Sequence, residues 1–121
     1  MFTVHLEKET FKFSCSHFTI LSADHAERLH GHNYQLRVDI SLTDLDPALG
    51  LAFDFNAVKP FVRDFCAGLD ERILLPTKSP YLQLGLVDEQ VDVQFGKKTY
   101  SFPKDDTLCL PLTNITSEEL A

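Results

Sequence analysis

The 121-residue sequence contains no tryptophan and a single methionine, and its three cysteines are odd in number and widely spaced. Cys15, Cys66 and Cys109 form no C-x-x-C pair, which excludes a zinc knuckle or a dithiol redox motif. Each lies among apolar neighbours (FSCSHF, DFCAGL, TLCLPL) and is expected to be a small buried hydrophobe. No apolar run approaches the roughly 18–20 residues that cross a bilayer, and the opening MFTVHLEKET has no basic-then-apolar leader pattern. Basic residues are scarce: 11 Lys+Arg against 18 Asp+Glu give a formal net charge of −7. Without a Lys/Arg cluster, that balance argues against a nucleic-acid partner. Membrane and nucleic-acid roles are therefore set aside, and a reducing cytoplasm best fits the cysteine usage.

The hydrophobic content, 44%, is ordinary for a globular chain, and the length suits one domain. There are no repeats, low-complexity tracts or linkers, so residues 1–121 are expected to form a single domain. The opening reads as strand. Phe11, Phe13, Cys15 and His17 occupy alternate positions and share one face, with His17 at its far end. Residues 21–28 are polar and unpatterned and read as a loop. In the next strand, His32, Tyr34, Leu36, Val38, Ile40 and Leu42 alternate with polar residues, and His30 extends their face backwards. Both histidines are expected to point to the apolar side.

A helix is expected from about Val58, since Pro60 is tolerated only in a first turn, with Val58, Phe61, Val62, Phe65, Cys66 and Leu69 on one face. Gly68 is well placed as its stop. Val91, Val93 and Phe95, a turn around GKK, then Tyr100 and Phe102 read as a hairpin. A short apolar piece, LCL, precedes Pro111. Thr116-Ser-Glu-Glu119 fits a capping box, but only Leu120 and Ala121 follow. A helix that short does not hold itself together, so the expectation is either an incomplete chain or an end packed on something else.

His17, His30 and His32 form the pattern H-x12-H-x-H. Zinc favours imidazole nitrogen, and catalytic sites use three protein ligands, leaving the fourth position to water or substrate. Three rings on two paired inward faces can converge on one ion; histidines separately capping strands are the bland alternative. Glu27, three residues before His30, could be a general base, an orienting carboxylate or a surface charge. His25 is a possible proton carrier or an exposed side chain. Asp70-Glu71-Arg72 on its own reads as a solvated turn.

FSCSH (13–17), LHGHNY (29–34), LAFDF (51–55), LDERILLP (69–76) and NITSEELA (114–121), in order over nearly the whole chain, resemble the 6-pyruvoyltetrahydropterin synthase / 6-carboxytetrahydropterin synthase family. The resemblance implies an α+β tunnelling fold: an antiparallel four-stranded sheet with two helices packed on one face, assembled as trimers that pair into hexamers. It implies Zn²⁺ held by His17, His30 and His32, and 7,8-dihydroneopterin triphosphate as substrate. Zinc in the family acidifies the side-chain hydroxyls so that triphosphate is eliminated or the side chain is cleaved. Members serving queuosine, biopterin and folate branches share these motifs.

The sequence departs from the family pattern at three places. The family's catalytic cysteine, four residues before the first histidine of H-G-H, is replaced by Ala26. The next residue, Glu27, resembles the variant group in which a glutamate carries the proton and the side chain is trimmed to 6-hydroxymethyl-7,8-dihydropterin. The family's L-D-H, whose Asp-His pair helps the general base move protons, reads Leu69-Asp70-Glu71, so Asp70 is expected to tune that proton relay and Glu71 stands where its histidine would be. Thr116, Ser117 and Glu118 match the T-x-E segment lining the pterin pocket, but the family's last strand, with its pterin-anchoring glutamate, has no counterpart here. The implied function is a zinc-dependent pterin synthase, a lyase, working as a homo-oligomer. The alternative is a non-catalytic metal- or pterin-binding paralogue.

Overall fold

Two long stretches of alternating side chains dominate the computed structural model, which describes residues 1–121. They form β1 (Phe2–His17) and β2 (His30–Leu42). Then come α1 (Phe55–Leu69), β3 (Arg72–Pro76), β4 (Gln83–Val87), β5 (Gln90–Phe95), β6 (Lys98–Pro103), β7 (Thr107–Leu110) and α2 (Ser117–Leu120). The architecture is α+β, with the expected four-stranded sheet in the order β2-β1-β3-β7 and a second sheet in the order β4-β5-β6. In the first sheet, the β1–β3 and β3–β7 pairs run parallel, with Cys15 opposite Arg72 and Leu75 opposite Cys109. That sheet is therefore mixed.

The chain gathers into two compact units, Met1–Phe13 with Asn33–Asp70, and Ser14–His32 with Glu71–Ala121. In the first, Thr3 bonds Ser41 and His5 bonds Asp39, the descending register of an antiparallel pair. Phe11 and Phe13 are buried as the alternation requires, and Phe13 stacks on Tyr34. Helix α1 starts at Phe55, three residues earlier than expected, because the Asp54 carboxylate caps it by accepting the Asn56 N–H at 2.8 Å. Pro60 thus lies inside the helix, and the bond its missing N–H would have made to Asn56 is simply forgone. Val62, Cys66 and Leu69 are buried, but Phe61 and Phe65 of the expected apolar face are 74% and 50% exposed. The helix runs through Gly68 and is capped by Asp70, and Glu71 takes the left-handed conformation (φ 57°) that glycine was expected to supply.

The second unit is built around Phe18, Ile20, Ala26, Leu75, Val91, Val93 and Phe95, with Leu82, Leu84, Tyr100 and Phe102 against them. Leu84, Val91, Val93, Phe95, Tyr100 and Phe102 are the inward residues of β4–β6, so the second sheet lays its apolar face over the segment that follows β1 and over Leu75 of β3. The β5–β6 hairpin turns at Gly96-Lys97 as expected, and Gly96 there has φ 57°, favourable for a two-residue hairpin turn. Strand β4, unmarked in the sequence reading, pairs with β5 through a turn in which Asp88 has φ 55°. Cys15 and Cys66 are buried as expected; Cys109 is exposed, although it shares a face of β7 with the buried Thr107.

Candidate metal centre

The core of the second unit carries the site. Phe18, 2% exposed, anchors the chain immediately after His17, and the loop that follows is short and internally bonded. Leu21 and Ser22 donate to the His25 carbonyl (2.8 and 3.0 Å), Ile20 bridges Ala26, and the Glu27 N–H returns to the Thr19 carbonyl at 2.8 Å. This fold-back delivers Glu27 beside Thr19 and starts β2 at His30, so the residues 17–32 close on themselves.

His17, His30 and His32 come together. Their candidate ligand nitrogens all lie within 4.8 Å of one another, and the rings meet edge to face, with His17 centred 4.8 Å from His30 and 5.3 Å from His32. His17 is buried, only 4% exposed, while His30 and His32 are exposed. Both β2 histidines share the face that Tyr34 continues and pack against His17, but the expectation that they avoid water is corrected: burial starts only at Tyr34, further along β2, and the two rings before it are exposed.

The tautomers are set by the backbone. His17 Nδ1 donates to the Ile115 carbonyl (3.2 Å) and His30 Nδ1 to the Arg28 carbonyl (2.7 Å); a carbonyl only accepts, so each of these nitrogens carries the hydrogen. Nε2 is then the nitrogen each ring offers a metal, the arrangement in which a backbone acceptor orients a ligating histidine. Burial lowers the His17 pKa more than its bond to Ile115 raises it, which favours the neutral, ligating form. A tetrahedral zinc with nitrogens about 2.1 Å away needs them about 3.4 Å apart, so modest ring rotations complete the set. Three imidazoles, two with fixed tautomers, fit a metal ion of the zinc type.

Glu27 stands next to this cluster. Its Oε1 accepts the Thr19 N–H at 3.0 Å, and hydrogen bonding by Thr19, assisted by His30 and His17, holds the carboxyl below the usual range. The group is therefore ionised at neutral pH and half-buried, as a proton acceptor must be. No thiol nearby competes: burial pushes Cys15, two residues before His17, up to about 11. His25 is exposed and contributes its carbonyl to the loop.

Thr116 caps α2 by accepting the Glu119 N–H at 3.1 Å, while the Glu119 carboxylate accepts from the Thr113 hydroxyl. Because Ile115 bonds His17, Thr116 follows directly on a residue that touches the cluster; Ser117 and Glu118 lie exposed in the first turn of α2. Asp70 ends α1 in the other unit, its N–H bonded to the Cys66 carbonyl. Glu71 opens onto β3 with its N–H on the Ser14 carbonyl (2.6 Å) and its side chain exposed. Thr19 and Ile115, which carry no motif of their own, provide much of the hydrogen bonding around His17 and Glu27, largely through backbone N–H and C=O groups that leave no side-chain signature; Asn114, at the head of NITSEELA, adds its carboxamide.

The model of the family described as 6-pyruvoyl tetrahydropterin synthase matches residues 5–121. A Methanocaldococcus jannaschii protein provisionally named 6-carboxy-5,6,7,8-tetrahydropterin synthase is 33% identical over 95 residues, covering 77% of this chain and 56% of its own length. A similarly named Pyrococcus horikoshii protein is 29% identical over 113 residues, covering 93% of this chain and 66% of its own. The chain thus spans between about half and two thirds of the length of these curated relatives. Among solved structures, a 6-pyruvoyltetrahydropterin synthase variant of Plasmodium vivax, altered at a glutamate described as its catalytic residue, superimposes with a TM-score of 0.86 at 30% identity, covering 98% of this chain and 72% of that one. The Plasmodium falciparum enzyme gives 0.84 at 31% identity over the same shares. With its fold, its histidine cluster and its sequence all agreeing, the chain belongs to the 6-pyruvoyl tetrahydropterin synthase family.

Proposed function

We propose that this chain is a zinc-dependent pterin synthase, a lyase acting on the side chain of 7,8-dihydroneopterin triphosphate. The observation that carries the reading is the convergence of His17, His30 and His32, with the Nδ1–H groups of His17 and His30 tied to carbonyls, which leaves Nε2 of those two rings as the nitrogen for an ion. Zinc bound there would supply a Lewis acid that acidifies the substrate's side-chain hydroxyls. Glu27 is the group that takes the proton: it is ionised, held by Thr19, and has Ala26 rather than a cysteine beside it. The Plasmodium vivax relative, whose catalytic residue is described as a glutamate, supports a carboxylate in this role.

Thr116, Ser117 and Glu118 would line the pterin pocket, following the Ile115 carbonyl that orients His17. Asp70 and Glu71 stand at the family's relay position, where Asp70 would tune proton movement and the exposed Glu71 carboxylate would accept a proton. The chain would work as a homo-oligomer, trimer or hexamer, in the cytoplasm. Phe61 and Phe65, exposed one turn apart on α1, support self-association, since apolar groups so placed favour leaving water.

Incubating zinc-loaded protein with 7,8-dihydroneopterin triphosphate and separating the products by chromatography tests the proposal. A pterin that has lost triphosphate or part of its side chain supports it. Unchanged substrate over a demonstrably full metal site contradicts it and leaves the non-catalytic paralogue.

A further inference from the structure

The carboxamide of Asn114 behaves as a paired strand would. Its Oδ1 accepts the N–H groups of Ile20 and Ile115, both at 3.1 Å, and its Nδ2 donates to the Ile20 carbonyl at 2.8 Å. One half-buried side chain thus ties the segment before α2 to the backbone three residues beyond His17. The tie fixes Ile115, which is fully buried, and the Ile115 carbonyl then accepts from both His17 Nδ1 (3.2 Å) and Thr19 Oγ1 (3.4 Å). Thr19 in turn gives its N–H to Glu27. We propose that Asn114 is a positioning residue of the histidine centre: by pairing with Ile20 it sets the Ile115 carbonyl, and that carbonyl sets the ring plane and Nδ1–H tautomer of His17. The proposal rests on reading the three histidines as a metal centre.

The chemistry explains why asparagine suits the position. Only a planar amide offers an acceptor and a donor side by side, matching the N–H and C=O of one extended residue. Aspartate keeps the two accepted bonds but faces the Ile20 carbonyl with a second oxygen, and alanine forfeits all three. Loosening Ile115 releases His17 to adopt the other tautomer, which places a hydrogen on the ligating nitrogen. Partners that orient a metal-bound histidine typically contribute 10–100-fold to metal affinity. An effect relayed through a backbone carbonyl should fall near the lower bound.

Two measurements on the full chain test this. Nitrogen–proton correlation spectra of the metal-free protein, taken where the rings are neutral, should show His17 as the Nδ1–H tautomer in the wild type and a mixture in Asn114→Ala. Zinc competition against a chelator should show Asn114→Ala weakened about tenfold, with Asn114→Asp in between. Simple loss of stability would leave the tautomer and affinity of the folded fraction unchanged, and that result overturns the proposal. Should Asn114→Ala not fold, Asn114→Asp decides alone: wild-type tautomer and affinity refute the role, an altered tautomer with weaker zinc binding supports it. A wild type that binds no zinc at these rings would sink the metal reading, and the tautomer comparison would still decide the part played by Asn114.

Discussion

Replacing Glu27 by glutamine separates charge from shape. The Thr19 N–H reaches Oε1 at 3.0 Å, and a carboxamide oxygen accepts the same bond. The neighbouring bond, from the Glu27 N–H to the Thr19 carbonyl at 2.8 Å, is backbone and survives the change. The loop therefore keeps its course, and what disappears is the ability to take a proton. A positioned general base contributes about 10²–10⁴ in rate, or about 3–5 kcal/mol of barrier. Zinc affinity should fall by less than about tenfold, because the carboxylate is no ligand and acts on the imidazoles only across space. The assay is turnover of 7,8-dihydroneopterin triphosphate at matched zinc content across the pH range. Because Thr19 and the nearby histidines depress the wild-type carboxyl, its activity should persist to acid pH before falling, and that limb should vanish in the variant. The sign for stability is the same. A depressed carboxyl stabilises the fold above its ordinary pKa, and the contribution is lost as pH falls through the lowered folded value, so the wild type's advantage over Glu27→Gln in metal-free protein should close in acid. Turnover by Glu27→Gln within tenfold of wild type would refute the assignment of Glu27 as base.

Other consequences concern the metal and the scaffold. His32→Ala removes one of the three rings and should abolish stoichiometric zinc, measured by elemental analysis after dialysis; one zinc per subunit retained would contradict the ligand set. Leu75, 0% exposed in the core of the second unit, should lose about 3 kcal/mol on replacement by alanine, lowering the melting temperature by about 12 °C. A shift of only a degree or two would mean that this core does not hold the unit together. Glu71→Gly relieves a left-handed conformation (φ 57°) and should raise stability by about 0.5–1 kcal/mol in urea unfolding. A destabilised Glu71→Gly would disprove the strain, whereas a gain in stability with lost turnover would mark the carboxylate as part of the chemistry.

Alternation made the strands that carry the site legible from the sequence. Phe11, Phe13, Cys15 and His17 are buried in the expected order, and the H-x-H pair does begin the second strand beside them. The three ligand candidates, spaced for two neighbouring strands, do converge. What escaped the sequence depends on groups that have no periodic signature. Strand β4 is interrupted by Gly85 and exposes Leu86 and Val87, so no two-residue pattern stands out. The start of α1 was masked by Pro60, whose usual place in a first turn outweighed the cap at Asp54. Gly68 drew the expected helix stop, but the turn falls at Glu71, showing that tertiary pairing with Ser14 overrides the residue preference. The orienting carbonyls of Arg28 and Ile115 could not be read at all, because every residue has one and only the fold decides which faces a histidine.

Anomalous scattering at the zinc edge, from crystals of the metal-loaded protein, addresses the account most directly. A single peak about 2.0–2.1 Å from Nε2 of His17 and His30 and from a ring nitrogen of His32 is the expected result, with His17 Nδ1 still on the Ile115 carbonyl. Zinc found only at other side chains, with these three rings unligated, would contradict it.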